Sequence, residues 1–454
     1  MNFVRRGVNS AYTSWHTRVE EKLPFLPLSK ILEIQQRRVR SIVRHAYDTV
    51  PYYREVMDAE GLRPSDMRSA EDLARLPILE REELAKEPKR FRSNRFSGRQ
   101  AVELHTAGSS GYSKYVTYDP PAVLLALAHG HRQRIVCAHF VGRRFGYREM
   151  QVDRKGGVSD RLRAFYEKRL WVPGRVDLHR ATMDPADSFD ESIRKINRYR
   201  PDVIGGVGSY IGRIYRYAWE QGIGLHPPKL IRYGGTVLPE ADRRLLEEVF
   251  NVPVISLYQA VEALRIGYQC EQREGLHLHL DSVAVRVVDG NGRDVGPGGS
   301  GDLVLSNLVN RATVLLNYRL GDVVTRGRMS CACGRTLPTL ERVAGRSEEL
   351  IQLPGDRRMY VNSAIEACTT VPGFVQAQLI QEEMRRFTFR VVFQRDMEWE
   401  KAKRVIDTEL RTILGQDIRL RIDRLDSIPS GPGGKVHSLV SRLPTSARNG
   451  SGGL

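Results

Sequence analysis

The segment Thr106-Ala107-Gly108-Ser109-Ser110-Gly111-Tyr112-Ser113-Lys114 sets two glycines, a threonine and three serines beside one lysine. It follows an apolar stretch and runs into Tyr115-Val116-Thr117-Tyr118. So little Cβ bulk lets backbone N–H groups and hydroxyls close around a phosphate chain, with the lysine adding charge. The spacing is not that of the Walker loop, G-x-x-x-x-G-K-[ST], because glycine and lysine stand wrongly apart. Taken alone, a glycine-serine surface turn reads the same way. What lies on either side decides between the two.

At 454 residues the chain exceeds one ordinary domain, and two are expected. An apolar fraction of 41% is ample for a large core. No run approaches the roughly 18 to 20 apolar residues that cross a bilayer. Met1-Asn2-Phe3-Val4-Arg5-Arg6 has charge with no apolar core after it, so it does not read as a signal peptide. A cytoplasmic protein with no membrane span is expected. The net charge of +17 invites a nucleic-acid reading. The arginines are dispersed, however, and no short basic run carries the interleaved aromatics of a single-strand binding surface. We therefore expect no nucleic-acid partner, and read the field as one that attracts small anionic ligands.

Upstream of the loop, Ile31, Ile34, Val39, Ile42, Val43 and Ala46 fall at helical spacing and the pattern breaks at Val50-Pro51. Downstream, Leu238-Pro239-Glu240 opens a helix predicted to end near Phe250, with proline and acid in its first turn. Val252 to Leu257 then reads as a short buried strand that delivers Tyr258 and Glu262 to its carboxyl end. Helix, strand and polar turn are the rhythm of an α/β fold, whose ligands sit at strand carboxyl ends. Leu276 to Val288 alternates as one strand into the hairpin turn Asp289-Gly290-Asn291-Gly292. Asp302 to Leu308 and Ala312 to Leu316 continue as strands. From residue 347 the pattern changes: helix over Val361 to Ala367, strands over Phe374 to Ile380 and Phe387 to Phe393. A helix over Glu398 to Leu414 and a strand over Ile418 to Leu425 complete a small α+β unit. The end of the chain is rich in Ser, Gly and Asn and reads as a disordered tail over 443–454.

Four further segments follow the loop in order: Tyr258-Gln259-Ala260-Val261-Glu262, Tyr318-Arg319-Leu320-Gly321-Asp322, Gly345-Arg346-Ser347-Glu348-Glu349 and Pro432-Gly433-Gly434-Lys435. They resemble the Y-G-x-T-E, Y-R-T-G-D, G-R-x-D-D and T-x-x-G-K elements of the acyl-adenylate-forming superfamily. The first loop is similar to that superfamily's phosphate-binding loop. His45 to Tyr53, Leu76-Pro77-Ile78-Leu79 and Cys331-Ala332-Cys333-Gly334-Arg335 resemble the phenylacetate-CoA ligase branch, which includes capsule-type and coenzyme F390 synthetase-like proteins. The likeness runs from about residue 25 to 440.

The resemblance implies a large multi-sheet α/β N-terminal domain over 1–346 and a small mobile α+β domain over 347–442, joined by a hinge at Glu348. It implies an ATP-dependent, AMP-forming ligase that activates a carboxylic acid of aryl or short acyl type as its adenylate. Thr106, Gly108, Ser109, Ser110, Gly111 and Lys114 would hold the phosphates, and Glu262 would hold Mg²⁺, a hard cation that prefers oxygen. Asp322 would take the ribose hydroxyls, Gly234 and Gly235 would lie against adenine, and Tyr258 would stack on it. Arg346 belongs to the nucleotide set, and Lys435 would bridge the carboxylate and the α-phosphate. Ser209-Tyr210 matches the region lining the acyl pocket. Coenzyme A is the expected second substrate. Transfer to an amine or a carrier protein is the alternative, and a catalytically silent nucleotide-binding homologue is another, as is either a monomer or a homodimer.

Departures bear on those expectations. Gln259 and Val261 replace the usual glycine and threonine beside Glu262, and Glu348 and Glu349 replace two aspartates. Five cysteines with no secretory signal argue against a disulfide scaffold. Cys270, Cys331 and Cys333, with one of His277 or His279, could supply a Cys₃His zinc site, and reduced buried thiols are the competing reading. Cys137 and Cys368 read as core residues.

Overall fold

The computed structural model describes residues 3–96, 101–106, 114–171, 180–346, 350–355, 357–368, 371, 374–393, 398–428 and 438–443. Within 106, 114, 346, 358, 360, 362, 366 and 375 only the backbone is described. A hairpin comes first, β1 (Val102–Thr106) antiparallel to β2 (Lys114–Tyr118). Then β3 (Glu149–Val152), β4 (Arg180–Met183), β5 (Val203–Val207), β6 (Leu230–Gly234) and β7 (Val254–Tyr258) build a parallel half-sheet in the order β4-β3-β5-β6-β7. An antiparallel half continues it: β8 (Gly267–Tyr268), β9 (Leu276–Leu278), β10 (Val283–Val288), β11 (Ser300–Asn307), β12 (Tyr318–Arg326) and β13 (Thr339–Arg346). Together they make one 11-stranded sheet.

Each parallel crossover carries a helix, as parallel neighbours require. The helix Pro120–Val141 illustrates why these segments are helical. Asp119 accepts the Ala122 N–H at 2.8 Å as its N-cap, Pro120 and Pro121 fill positions that need no donor, and Gly142 ends it in the left-handed region at φ 82°. The helix Leu28–Thr49 buries Ile31, Val39, Ile42, Val43 and Ala46 of the stripe read from sequence, leaves Ile34 half-buried, and also buries the polar Gln35, His45 and Thr49.

Three expectations change. The helix expected from Leu238 to Phe250 is α-helical only over Glu240–Arg244 and continues as a π-helical turn over Leu245–Val249. The strand expected from Leu276 to Val288 is two strands. Ser282 and Val283 both turn their N–H groups back to the His279 carbonyl, and Gln35 donates to the Leu280 and Val283 carbonyls at 2.8 and 3.0 Å. A buried glutamine from a distant helix therefore holds open a break that alternation alone conceals. Ala312 to Leu316 bends at both ends and joins no sheet, apart from an isolated bridge between Arg92 and Thr313. Its polar groups are satisfied elsewhere: Asn310 Nδ2 donates to the Thr117 and Thr313 carbonyls, each at 2.9 Å.

Beyond Arg346 the elements share a core of their own. The hairpin β14 (Leu350–Leu353) and β15 (Arg357–Tyr360) precedes the sheet of β16 (Phe374–Glu383), β17 (Arg386–Phe393), β18 (Arg419–Leu425) and β19 (Leu439–Ser441), ordered β18-β17-β16-β19. Helices Val361–Cys368 and Trp399–Leu414 pack on it through Ala364, Cys368, Ile406 and Leu410 against Leu379, Phe387 and Phe389.

Candidate active site

Two of the sequence motifs meet. Tyr258 ends β7 and Asp322 lies in β12, and three strands (β8, β9, β13) separate β7 from β12 in the sheet. The Tyr258 hydroxyl nevertheless donates to Asp322 Oδ2 at 2.7 Å, with both residues buried. The reciprocal contact also forms: the Tyr318 hydroxyl donates to Glu262 Oε1 at 3.3 Å. Each motif's tyrosine thus holds the other motif's carboxylate. The antiparallel half must curl for this to happen, and register shifts between Asp302 and Val304, and between Val323 and Val324, supply local curvature.

The loop between β7 and β8 is fixed from several sides. Ile266 N returns to the Tyr258 carbonyl at 3.0 Å and closes it. Asn307 Nδ2 donates to the Glu262 carbonyl at 3.0 Å, while Asn307 Oδ1 accepts Val309 N and Asn310 N. The Tyr118 hydroxyl donates to the Val261 carbonyl at 2.6 Å. That last contact comes from β2, so the hairpin flanking the glycine-serine loop packs against the Glu262 segment. Leu104, Val116 and Tyr118 share a core with Val261 and Leu264. Burial first, then the Glu262 and Asp119 charges, push the Tyr118 hydroxyl well above its ordinary pKa, so it remains a donor.

Gly321 precedes Asp322 at φ +82°, and a Cβ there would lie 2.5 Å from an Arg81 guanidinium nitrogen. Only glycine serves both demands. Arg81, on the short helix Arg81–Lys86, was not singled out from sequence; neither were Asn307 and Asn310. An isolated arginine has no local signature, and Asn-x-x-Asn reads as ordinary turn chemistry. Arg346 pairs with Asp322 across β12 and β13, which sets the start of the hinge motif opposite the buried carboxylate.

The parallel half contributes glycines. Gly234 ends β6, where a Cβ would come 3.0 Å from the Leu257 carbonyl oxygen, and Gly235 follows at φ +76°. Ser209 is tied to this turn, its N–H and hydroxyl each 3.2 Å from Thr236 Oγ1. Tyr210 instead points into the helix layer, where its hydroxyl meets Ser192 Oγ and the Asp187 carbonyl, each at 2.9 Å. Thr106 and Lys114 form the last pair of the β1–β2 hairpin. Gly108, Ser109, Ser110, Gly111, Glu348 and Lys435 lie outside the described residues.

The cysteines converge. Ligand atoms of Cys270, His277, Cys331 and Cys333 all lie within 4.8 Å of one another, with Cys270 and Cys331 sulfurs 3.8 Å apart and Cys333 Sγ 3.4 Å from His277 Nε2. Tetrahedral zinc with bonds of about 2.3 Å to sulfur and 2.0–2.1 Å to nitrogen demands S···S near 3.8 Å and S···N near 3.5 Å. The set fits that ion. His277 Nδ1 faces the Leu337 carbonyl at 3.0 Å, which leaves Nε2 for a metal.

His279 does not join them. It belongs to a buried network in which Arg132 donates to Asp281 Oδ1 at 2.9 Å, to His279 Nδ1 at 3.1 Å and to Glu20, while Arg38 reaches Asp281 Oδ2 at 3.0 Å. The Tyr268 ring stands between the two histidines, 5.9 Å from His277 and 5.2 Å from His279.

Comparison with known proteins agrees with this architecture. The family model for the CapK C-terminal domain matches residues 356–442. Phenylacetate-coenzyme A ligase of Thermus thermophilus is 26% identical over 347 residues, covering 74% of this chain and 75% of the relative. The Aromatoleum evansii protein of the same name is 23% identical over 435 residues, 90% of this chain and 94% of the relative. Protein CapK of Staphylococcus aureus is 20% identical over 428 residues, covering 91% and 90%. Among solved structures, 2-hydroxyisobutyryl-CoA ligase in its postadenylation state superposes with a TM-score of 0.73 at 17% identity, over 92% of this chain and 90% of that one. The chain is therefore a homologue of the phenylacetate-CoA ligases and of CapK, matches the CapK C-terminal domain over residues 356–442, and has the fold of the adenylate-forming superfamily.

Proposed function

We propose that the protein is an ATP-dependent, AMP-forming ligase that activates a carboxylic acid as its acyl adenylate and passes the acyl group to coenzyme A. The observation that carries this reading is the crossed pair Tyr258–Asp322 and Tyr318–Glu262, which joins two motifs from opposite halves of the sheet at the carboxyl end of β7. Attack of a carboxylate on the α-phosphate, with loss of pyrophosphate, gathers negative charge around phosphorus. The protein must therefore supply oriented donors and cations rather than a nucleophile. A buried, tyrosine-anchored Asp322 is a fixed acceptor for ribose hydroxyls. Glu262, next to the hairpin that carries the glycine-serine loop, offers the oxygen ligand suited to Mg²⁺, which would bind the phosphates and screen their charge. Lys435 would stabilise the transition state from the C-terminal domain. Phenylacetate-CoA ligase relatives over most of the chain support coenzyme A as acceptor.

In the same reading the chain divides after Arg346, and the unit over 347–442 turns as a body between two half-reactions. Its separate core supports that division. We assign a structural zinc to Cys270, His277, Cys331 and Cys333, fastening the loop between β12 and β13 onto β8 and β9. No helix among the described residues is long and apolar enough to cross a membrane.

The test is exchange of labelled pyrophosphate into ATP across a library of carboxylic acids, followed by thioester analysis with coenzyme A. Acid-dependent exchange is expected. Absence of exchange with every acid would favour a silent homologue, and exchange without thioester would favour a carrier-protein or amine acceptor.

A further inference from the structure

The loop that presents Glu262 also presents Arg265, and the surroundings of that guanidinium are unusual. Arg265 Nη1 donates to Gln133 Oε1 at 3.1 Å, and among the described residues no carboxylate pairs with it. Burial, with the Arg232 guanidinium nearby, lowers its pKa to about 10. The residue nonetheless keeps part of its surface open. Room for it is built in: a Cβ on Gly130 would sit 3.0 Å from Arg265 Nη2.

The neighbours do not neutralise the charge. Arg180 donates to Glu149 Oε2 at 3.1 Å, and Arg232 pairs with the other oxygen of the same carboxylate. Two guanidinium groups thus share one acid, and Arg265 has no part in it. Donors are also left over: among the described residues, Gln133 Nε2 and Arg232 Nε are buried without a hydrogen-bond partner. A desolvated cation without an anion is costly, and guanidinium groups match carboxylate and phosphate oxygens in bidentate geometry. Such an arrangement suits an anion that arrives from outside.

We infer that Arg265, with Gln133 and Arg232, forms a subsite for a second anionic group on the acid substrate, a carboxylate or phosphate at the end remote from the carboxyl that is activated. This rests on the ligase reading and narrows it to diacids and phosphorylated acids. Glu262 and Arg265 are three residues apart on a closed loop, so their Cα atoms lie at most about 10 Å from each other. An acid with its reacting carboxyl beside Glu262 therefore reaches the guanidinium with a chain of a few carbons or one aromatic ring.

The experiment measures binding by calorimetry to the full chain, with pyrophosphate exchange measured in parallel. Succinate, glutarate, terephthalate and 3-phosphoglycerate are each paired with butyrate, valerate, 4-methylbenzoate and glycerate. At least one dianion should bind about tenfold or more tighter than its partner, the scale of one charge-assisted pair. Arg265→Met should bring that ratio near one, and Arg265→Lys should retain part of it. Arg265→Gln serves if the methionine variant does not fold. Equal binding or preference for the singly charged partner in every pair, or an equal loss for both members in Arg265→Met, overturns the subsite. The diacid arms against the phosphoglycerate arm separate a carboxylate from a phosphate. Binding that follows Arg265 without exchange for any acid would keep the subsite and sink the ligase reading.

Discussion

Removing one oxygen from Tyr258 tests whether the crossed tyrosine–carboxylate pairs organise the nucleotide site. Tyr258→Phe keeps the ring and deletes a 2.7 Å hydrogen bond to a buried carboxylate. A hydrogen bond to a charged group contributes roughly 1.5–3 kcal/mol. Other partners of Asp322 soften the loss, so the lower half of that range applies. That converts to about a 12- to 40-fold rise in KM for ATP. Tyr318→Phe is the internal comparison. Its 3.3 Å contact with Glu262 lies outside the usual O–H···O range of about 2.5–3.0 Å, so about a fivefold effect or less is expected. Pyrophosphate exchange at varied ATP reads both. The cycle of Tyr258→Phe with Asp322→Asn should show coupling of about 1 kcal/mol or more, whereas the two tyrosine variants should add within about 0.5 kcal/mol. An ATP dependence untouched by Tyr258→Phe, or equal effects from both tyrosines, would refute the reasoning.

Lys435→Ala should lower exchange about 10²-fold or more, as loss of one preorganised charge stabiliser does; exchange indifferent to it removes the lysine from the mechanism. Purified protein should contain one zinc per chain, and Cys331→Ser with Cys333→Ser should release it and lower the melting temperature; metal content unchanged by the pair rejects the site. Burial and the adjacent Arg132 guanidinium hold the His279 imidazole well below its usual pKa, so the folded chain keeps it neutral while the unfolded chain protonates it. Stability should therefore be undiminished above about pH 6.5 and fall by about 1.4 kcal/mol per pH unit below it for this one proton. His279→Gln, which still offers Arg132 an acceptor, should flatten denaturant-measured stability across that window by that amount; an unchanged slope counts against the network. At Asp281 burial opposes ionisation, but Arg132 and His129 outweigh it and hold the carboxyl well below the ordinary range. Its contribution is present above about pH 4 and disappears as pH falls through the folded value, so Asp281→Asn should remove the steepest part of the acid limb.

Where the fold was legible, the signal was local. The helices Leu28–Thr49, Val361–Cys368 and Trp399–Leu414, and the strands β16, β17 and β18, fall within a few residues of their expected bounds, because amphipathic spacing fixes a face without reference to the rest of the chain. Where it was not, a distant partner intervened. Gln35 breaks the run from Leu276 to Val288, and Asn310 binds the Thr313 carbonyl in a segment that otherwise reads as a strand. In the site, Tyr258, Glu262 and Asp322 were readable as motif positions, but their crossed hydrogen bonds were not. Arg81 and Arg265 had no signature, since each depends on neighbours from other elements.

The sequence by itself determined which chemistry-bearing residues this chain owns and the order in which they occur, because motif spacing within a turn is a property of adjacent residues. Tertiary structure alone decided which of them meet. Curling of the antiparallel half brings Asp322 to Tyr258, the bend at His279 sends that histidine to Arg132 and leaves His277 with the cysteines, and packing sets Arg265 against Gln133 with no acid among the described residues. Each of those outcomes depends on strand register and long-range packing, where a shift of one residue would turn a side chain to the opposite face.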